Sequence, residues 1–139
     1  MIVNVIGPQG GMVQSDLHAN IVLAVKSFAS QLGIGRLKNN ITVRVHKKVF
    51  MDDEGTQGLC EPLDERNFIV DICMYSNWLV NLAHEMVHVK QFARGELDFA
   101  LVQWKSRRIS ENMDYWIQPW EKEARRLQFK LAEEFDKTC

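Results

Sequence analysis

No apolar run in the chain approaches the ~20 residues needed to cross a bilayer, so no membrane partner is expected. Residues 1–7 lack the basic stretch and the apolar length of a secretory signal, which favours a cytoplasmic protein. Cysteine is scarce: Cys60, Cys73 and Cys139 are odd in number and have neither C-x-x-C nor metal-knuckle spacing. They read as reduced structural thiols rather than a disulfide framework, and a thiol nucleophile paired with a histidine is the lesser reading. Charge of one sign is also missing. A formal net charge of −1 gives no overall bias toward nucleic acid, and none is expected as a partner. The local cluster Lys105, Arg107, Arg108 reads as a solvated loop or strand edge. No repeat, low-complexity tract or linker interrupts the 139 residues, which suit a single domain, 1–139, with a modest core.

Against this ordinary background one stretch is dictated by chemistry: His84-Glu85-Met86-Val87-His88. On a helix, histidines four apart leave one face about one turn apart, so both imidazoles can reach a single zinc ion. Glu85 falls off that axis, badly placed as a ligand and well placed to take the proton of a metal-activated water. The surroundings predict a helix over about 77–93. Ser76 or Asn77 can cap it; Trp78, Leu79, Leu82, Ala83 and Met86 supply a buried stripe; Gly95 suits its exit. Before it, residues 68–74 read as a strand with Phe68, Val70, Ile72 and Met74 on one face.

Other elements follow from periodicity. Residues 2–6 suit a short strand. Ser15 is a candidate cap for a helix marked by Leu17, Ile21, Ala24, Val25, Phe28 and Leu32, ending at Gly33 or Gly35. His18, in its first turn, has no second ligand at useful spacing. Ile41, Val43 and Val45 alternate with Thr42, Arg44 and His46 as in a half-buried strand, and His46 belongs to the polar set. Asp52, Asp53, Glu54 and Gly55 read as a solvated turn without the loop spacing of a calcium site. Residues 58–61 suit a short strand, possible at a sheet edge, and 63–67 another turn. The order strand, helix, three strands, helix, helix predicts an α+β fold whose small, largely antiparallel sheet is backed by helices.

A hydrolytic zinc site needs a third protein ligand. No histidine follows His88, and Gln91 and Arg94 stand where H-E-x-x-H-x-x-G-x-x-H would require glycine and histidine, so the donor should be a carboxylate. Pro119 opens a strong helix whose stripe is Trp120, Ala124, Leu127, Leu131 and Phe135. With Phe129 and Ala132 included, the mean apolar direction lies about 60° from Glu121 and about 100° from Glu123. Glu121 is the better inward candidate; Glu123 stays open, because Trp120 and Leu127 draw the stripe toward it. Trp104, Tyr115 and Trp116 lie between the two helices, more as core or interface material than as substrate contacts. Tyr115 has one functional alternative, a phenol that hydrogen-bonds an oxyanion.

The combination His84-Glu85-Met86-Val87-His88-Val89-Lys90-Gln91, followed by Pro119-Trp120-Glu121-Lys122-Glu123-Ala124, resembles small gluzincin-type zinc metallopeptidases. It is most similar to compact, often phage-encoded metallopeptidases, and more distantly to SprT-like and ImmA/IrrE-like domains. The resemblance spans roughly residues 76–135. It implies a zincin-like fold with an H-E-x-x-H helix and a C-terminal ligand helix. Zn2+ would be held by His84, His88 and a glutamate in an E-x-x-A context, which Glu121 matches and Glu123 does not. It further implies a peptide or protein substrate, catalysis by Glu85, and the host cytoplasm if the protein is phage-encoded. The rival reading is a zinc-stabilised binding or structural protein, such as a virion component or regulatory partner. An intact Glu85 weighs against it.

Overall fold

The computed structural model describes residues 1–7, 10–46, 58–74, 77–110 and 112–138. The expected turn at 52–55, Ser76 and Cys139 lie outside the described residues. Strand β1 (Ile2–Ile6) leads into helix α1 (Ser15–Gln31). Strands β2 (Asn40–His46), β3 (Gly58–Pro62) and β4 (Asn67–Cys73) follow, then helix α2 (Trp78–Ala93). A short hairpin, β5 (Gln103–Trp104) and β6 (Arg107–Arg108), and a single 3-10 turn at Tyr115–Ile117 precede helix α3 (Pro119–Thr138). The class is α+β, with three helices and a small mixed sheet. Among the described residues no helix is long and apolar enough to cross a membrane.

The sheet runs β1-β2-β4-β3. Its β1–β2 and β2–β4 pairs are parallel and only β3–β4 is antiparallel, which corrects the expectation of a largely antiparallel sheet. Element order supplies the physical reason. Two strands joined through a helix, as β1 and β2 are through α1, have the crossover that parallel pairing requires. Within this sheet only β3 and β4, separated by a four-residue turn, make a hairpin. Asp64 builds that turn by accepting the backbone N–H groups of Arg66 and Asn67 at 2.8 and 2.9 Å. Among the described residues strand β3 pairs only with β4 and is therefore one edge of the sheet, β1 being the other.

The alternation read from β2 holds: Ile41, Val43 and Val45 are buried and their neighbours half-buried. Together with Phe68, Val70 and Ile72 of β4 they share one core with all three helices. Helix α1 begins one residue away from expectation. Gln14, not Ser15, is its cap, because the longer side chain reaches back to accept the Leu17 N–H at 3.0 Å. Helix α2 is capped by Asn77, whose side chain accepts from Val80 N at 3.3 Å, and it exits through Gly95 at φ 69°. Arg107 and Arg108 are exposed on the hairpin, as the charge pattern suggests.

On the other face of β2 and β4, Asp71 is only 2% exposed. The Arg44 guanidinium donates to both of its oxygens at 2.8 and 2.9 Å, and His46 Nε2 lies 2.8 Å away. The structural reading of His46 therefore stands. Residues 44 and 71 sit directly opposite in the parallel register, which is why the fork meets the carboxylate squarely. Arg44→Leu is expected to strand a buried carboxylate and to cost about 3 kcal/mol, read from chemical unfolding. A loss below about 1 kcal/mol would mean that His46 compensates Asp71 alone.

Candidate metal centre

Helix α2 is wedged between the sheet and α3, and it buries polar residues among apolar ones: Glu85, His88 and Gln91 beside Leu82, Met86 and Val89. The four-residue spacing brings the His84 and His88 rings together, with centroids 5.0 Å apart. Helix α3 opens at Pro119, the position where a missing N–H costs nothing, and this sets Glu121 in its first turn facing both rings. Glu121 Oε1 lies 3.0 Å from His84 Nε2, and Oε2 lies 3.1 Å from His88 Nε2. The sequence-nominated ligands thus come together, and their donor atoms all lie within 4.8 Å of one another. Donors about 2.0–2.1 Å from a tetrahedral zinc would be roughly 3.3 Å apart, so the donor set and its spacing fit such an ion.

Each imidazole is held from behind. Gln128 Oε1 is 2.7 Å from His84 Nδ1, and Gln91 Oε1 is 2.8 Å from His88 Nδ1. Neither glutamine was nominated from sequence, although spacing could have found both. Gln91 is three residues after His88 on the same helical face, and Gln128 is seven after Glu121, two turns along one stripe.

Glu123 does not join the ligand group. The sequence leaves Glu123 open as a ligand, and the structure engages it elsewhere. Its carboxylate accepts from Lys90 Nζ at 3.0 Å and from Gln91 Nε2 at 3.1 Å. Phe129, counted into the apolar direction of α3, is 64% exposed, so the helical phase was argued partly from a residue that faces solvent. Glu121 remains the inward residue because Trp120, Ala124, Leu131 and Phe135 are buried.

The two carboxylates near the histidines are pushed in opposite directions. Burial alone would raise Glu121, but its contacts with both imidazoles outweigh that and hold it far below the usual carboxylate range. Burial raises Glu85, and the nearby imidazoles offset this only in part while Glu121 adds to it. Burial would lower His88, yet the hydrogen bond to Glu121 and the Glu85 charge raise it to about 9. Two carboxylates in one site thus differ in proton affinity, Glu85 raised by burial and Glu121 lowered by its imidazole partners.

A cleft of about 1010 Å³ opens over these groups. Edge strand β3 forms one side through Gly58, Leu59 and Cys60, and Phe92, Leu97 and Trp120 form an apolar side. Glu85 lies hard against β3: a Cβ built on Gly58 would sit 2.8 Å from Glu85 Oε2 and 3.1 Å from its Cγ. Tyr115 and Trp116 overhang the cleft, braced by the Arg125 guanidinium at 5.7 and 4.7 Å from their rings. Arg125 also donates to the Trp116 carbonyl, so α3 carries this strap. Burial, the Glu121 charge and a hydrogen bond to Glu121 raise the Tyr115 phenol to about 12, and it stays protonated. Trp104, in contrast, packs toward the core with its ring 6.3 Å from Trp120.

Cys60 also faces the cleft. Burial first, then the charges of Glu85 and Glu121, push its thiol well up, so the thiolate a cysteine nucleophile needs is disfavoured there. His18 is half-buried in α1 and His46 is engaged by Asp71; neither joins the cluster. Comparisons with family models, with curated proteins and with solved structures gave no match to this chain.

Gly58→Ala should displace the Glu85 carboxylate, since the added methyl has no room at 2.8 Å, while the Glu121 contacts with His84 and His88 persist. A crystal structure of the variant should show a changed Glu85 rotamer, with a stability loss of about 1–3 kcal/mol on unfolding. An unmoved Glu85 would mean that β3 yields instead.

Proposed function

We propose that the protein is a zinc-dependent metallopeptidase of gluzincin type, with His84, His88 and Glu121 as ligands and Glu85 as general base. One observation carries this reading: Glu121 spans the Nε2 atoms of both motif histidines, while Glu85, 7% exposed, remains outside that donor set against the edge strand. A purely structural site has no use for a buried carboxylate in that position. The rival, a zinc-stabilised protein without turnover, leaves the upward displacement of Glu85 without a purpose.

Zinc bound by these residues would polarise the scissile carbonyl and lower the pKa of the attacking water. Glu85 accepts one proton of that water as its oxygen bonds to the carbonyl carbon. The same carboxyl then gives the proton to the amide nitrogen as the C–N bond breaks, so the acid and base roles balance within one residue. Tyr115, held protonated over the cleft, donates a hydrogen bond to the carbonyl-derived oxyanion. An extended substrate adds alongside β3, which among the described residues has a strand neighbour on one side only and so offers an edge for main-chain pairing. The wall of Phe92, Leu97 and Trp120 favours a large apolar side chain near the scissile bond, and among the described residues no Lys or Arg lines the cleft to attract an acidic one.

The purified protein is expected to carry close to one zinc per chain by elemental analysis. His84→Ala, His88→Ala and Glu121→Gln should each lose it. Full zinc retention in any of the three removes that residue from the site.

Replacing Glu85 with Gln should leave zinc bound and lower peptide hydrolysis by on the order of 10² or more. Proteome-derived peptide libraries digested by the parent and by Glu85→Gln give the comparison. Equal cleavage by both would end the assignment of Glu85, and no cleavage by the zinc-loaded parent would favour the non-catalytic rival.

A further inference from the structure

We infer that Gln91 and Glu123 form a positioning relay that presents His88 to the metal through Nε2, so that Glu123 governs metal affinity without touching the ion. The inference rests on the metal-site reading above. Gln91 is completely buried. Its amide has three partners: His88 Nδ1 at 2.8 Å from Oε1, and the Trp120 carbonyl at 3.0 Å and Glu123 Oε1 at 3.1 Å from Nε2.

Those partners dictate the amide's orientation. The Trp120 carbonyl and the Glu123 carboxylate can only accept, so the NH2 group must face them and the amide oxygen must face His88. An amide oxygen can only accept, so the His88 proton must sit on Nδ1. In the neutral, metal-ligating imidazole the lone pair is then on Nε2, the atom whose N–H otherwise donates to Glu121 Oε2 at 3.1 Å. Reversing the amide would set its oxygen against two acceptors, the Trp120 carbonyl and Glu123, leaving two buried polar contacts unsatisfied.

Glu123 is in turn fixed by Lys90, whose Nζ lies 3.0 Å from Glu123 Oε1 and 2.7 Å from Glu96 Oε1. The chain Glu96–Lys90–Glu123–Gln91–His88 therefore alternates acceptors and donors from the surface to the site, and two of its links join α2 to α3. His84 is held in the same sense by the Gln128 oxygen. Both imidazoles thus lean on neutral amides rather than carboxylates, and the orientation of each amide has to be supplied by its neighbours. For Gln91 that neighbour is Glu123. Fixing the ring and tautomer of a ligating histidine is worth about 10- to 100-fold in metal affinity.

A competition titration of zinc chloride against a chromophoric chelator tests the relay in two variants of opposite character. Gln91→Met keeps the apolar volume and removes the acceptor; zinc should bind 10- to 100-fold more weakly. Gln91→Glu combined with Glu123→Gln keeps an acceptor against His88 Nδ1 and a donor–acceptor link between 91 and 123, while the contact with the Trp120 carbonyl is lost and is read as a stability loss. It should bind zinc within about threefold of the parent. A role confined to packing predicts the reverse ranking, and that ranking would overturn the relay. Unfolding of the metal-free variants controls for misfolding. The parent alone provides a second measurement: long-range proton–nitrogen spectra of the zinc-loaded protein should show His88 protonated at Nδ1, and protonation at Nε2 would also overturn it. If the parent binds no zinc, the metal-site reading fails and the relay with it. If the parent binds zinc through His84 but the ranking is reversed, only the relay falls.

Discussion

The contact of one carboxylate with two imidazoles, made where α2 and α3 cross, is the constraint around which the other elements are arranged. Glu121 and His88 are each less than a tenth exposed, and taking such groups out of water costs several kcal/mol per ion. A core built for stability alone would fill this space with leucine, because a buried ion pair seldom outperforms well-packed apolar residues. The chain instead keeps a polar seam through its most buried helix and surrounds it with satisfied amides. Departures of this kind from the packing rule concentrate at functional sites. The apolar residues of α2 and α3 offset the cost: Leu82, Met86, Ala124 and Leu131 close around the seam and exclude water from all but the cleft side.

That seam acquires a working geometry only because β3 lies across it. Among the described residues the strand is last in the sheet, and Gly58 lets its backbone approach Glu85 more closely than any side chain would allow. The Glu85 carboxylate is confined between that backbone and the two histidines. Confinement explains both its location beside the donor set and its raised pKa, since burial there is not repaid by a direct hydrogen-bonded partner of the kind Glu121 has. Sheet topology therefore reaches the site directly: placing β4 inside and β3 outside sets which strand meets Glu85.

Local periodicity carried much of this into the sequence. His84 and His88 at four-residue spacing, the alternation of β2 and the stripe of α3 are all decided within a few residues of chain, and the structure agrees with each. Pairing direction is non-local, and there the reading failed. Hydrophobic alternation is the same in parallel and antiparallel strands, so only the helix between β1 and β2 distinguished them. The supporting amides were hidden for a different reason. Gln91 and Gln128 look like surface residues by type, and their burial follows from the other helix, which no window of sequence contains.

Glu123 shows how composition can mislead even when the helical phase is nearly right. Residues 121 and 123 point about 200° apart, so a single apolar direction admits only one of them as inward. Yet both reach α2. The two helices cross in opposite directions, and the acids flank the line of contact, one meeting His84 and His88 and the other Lys90 and Gln91 one turn further along α2. A helix that packs in a groove has two buried shoulders as well as a buried crest. The shoulder at residue 121 meets both motif histidines, and the shoulder at 123 meets Gln91 behind His88. A first-turn acid pair that looks redundant on a helical wheel is thereby divided between two layers of one site, and the helix dipole that favours both has no part in choosing between them.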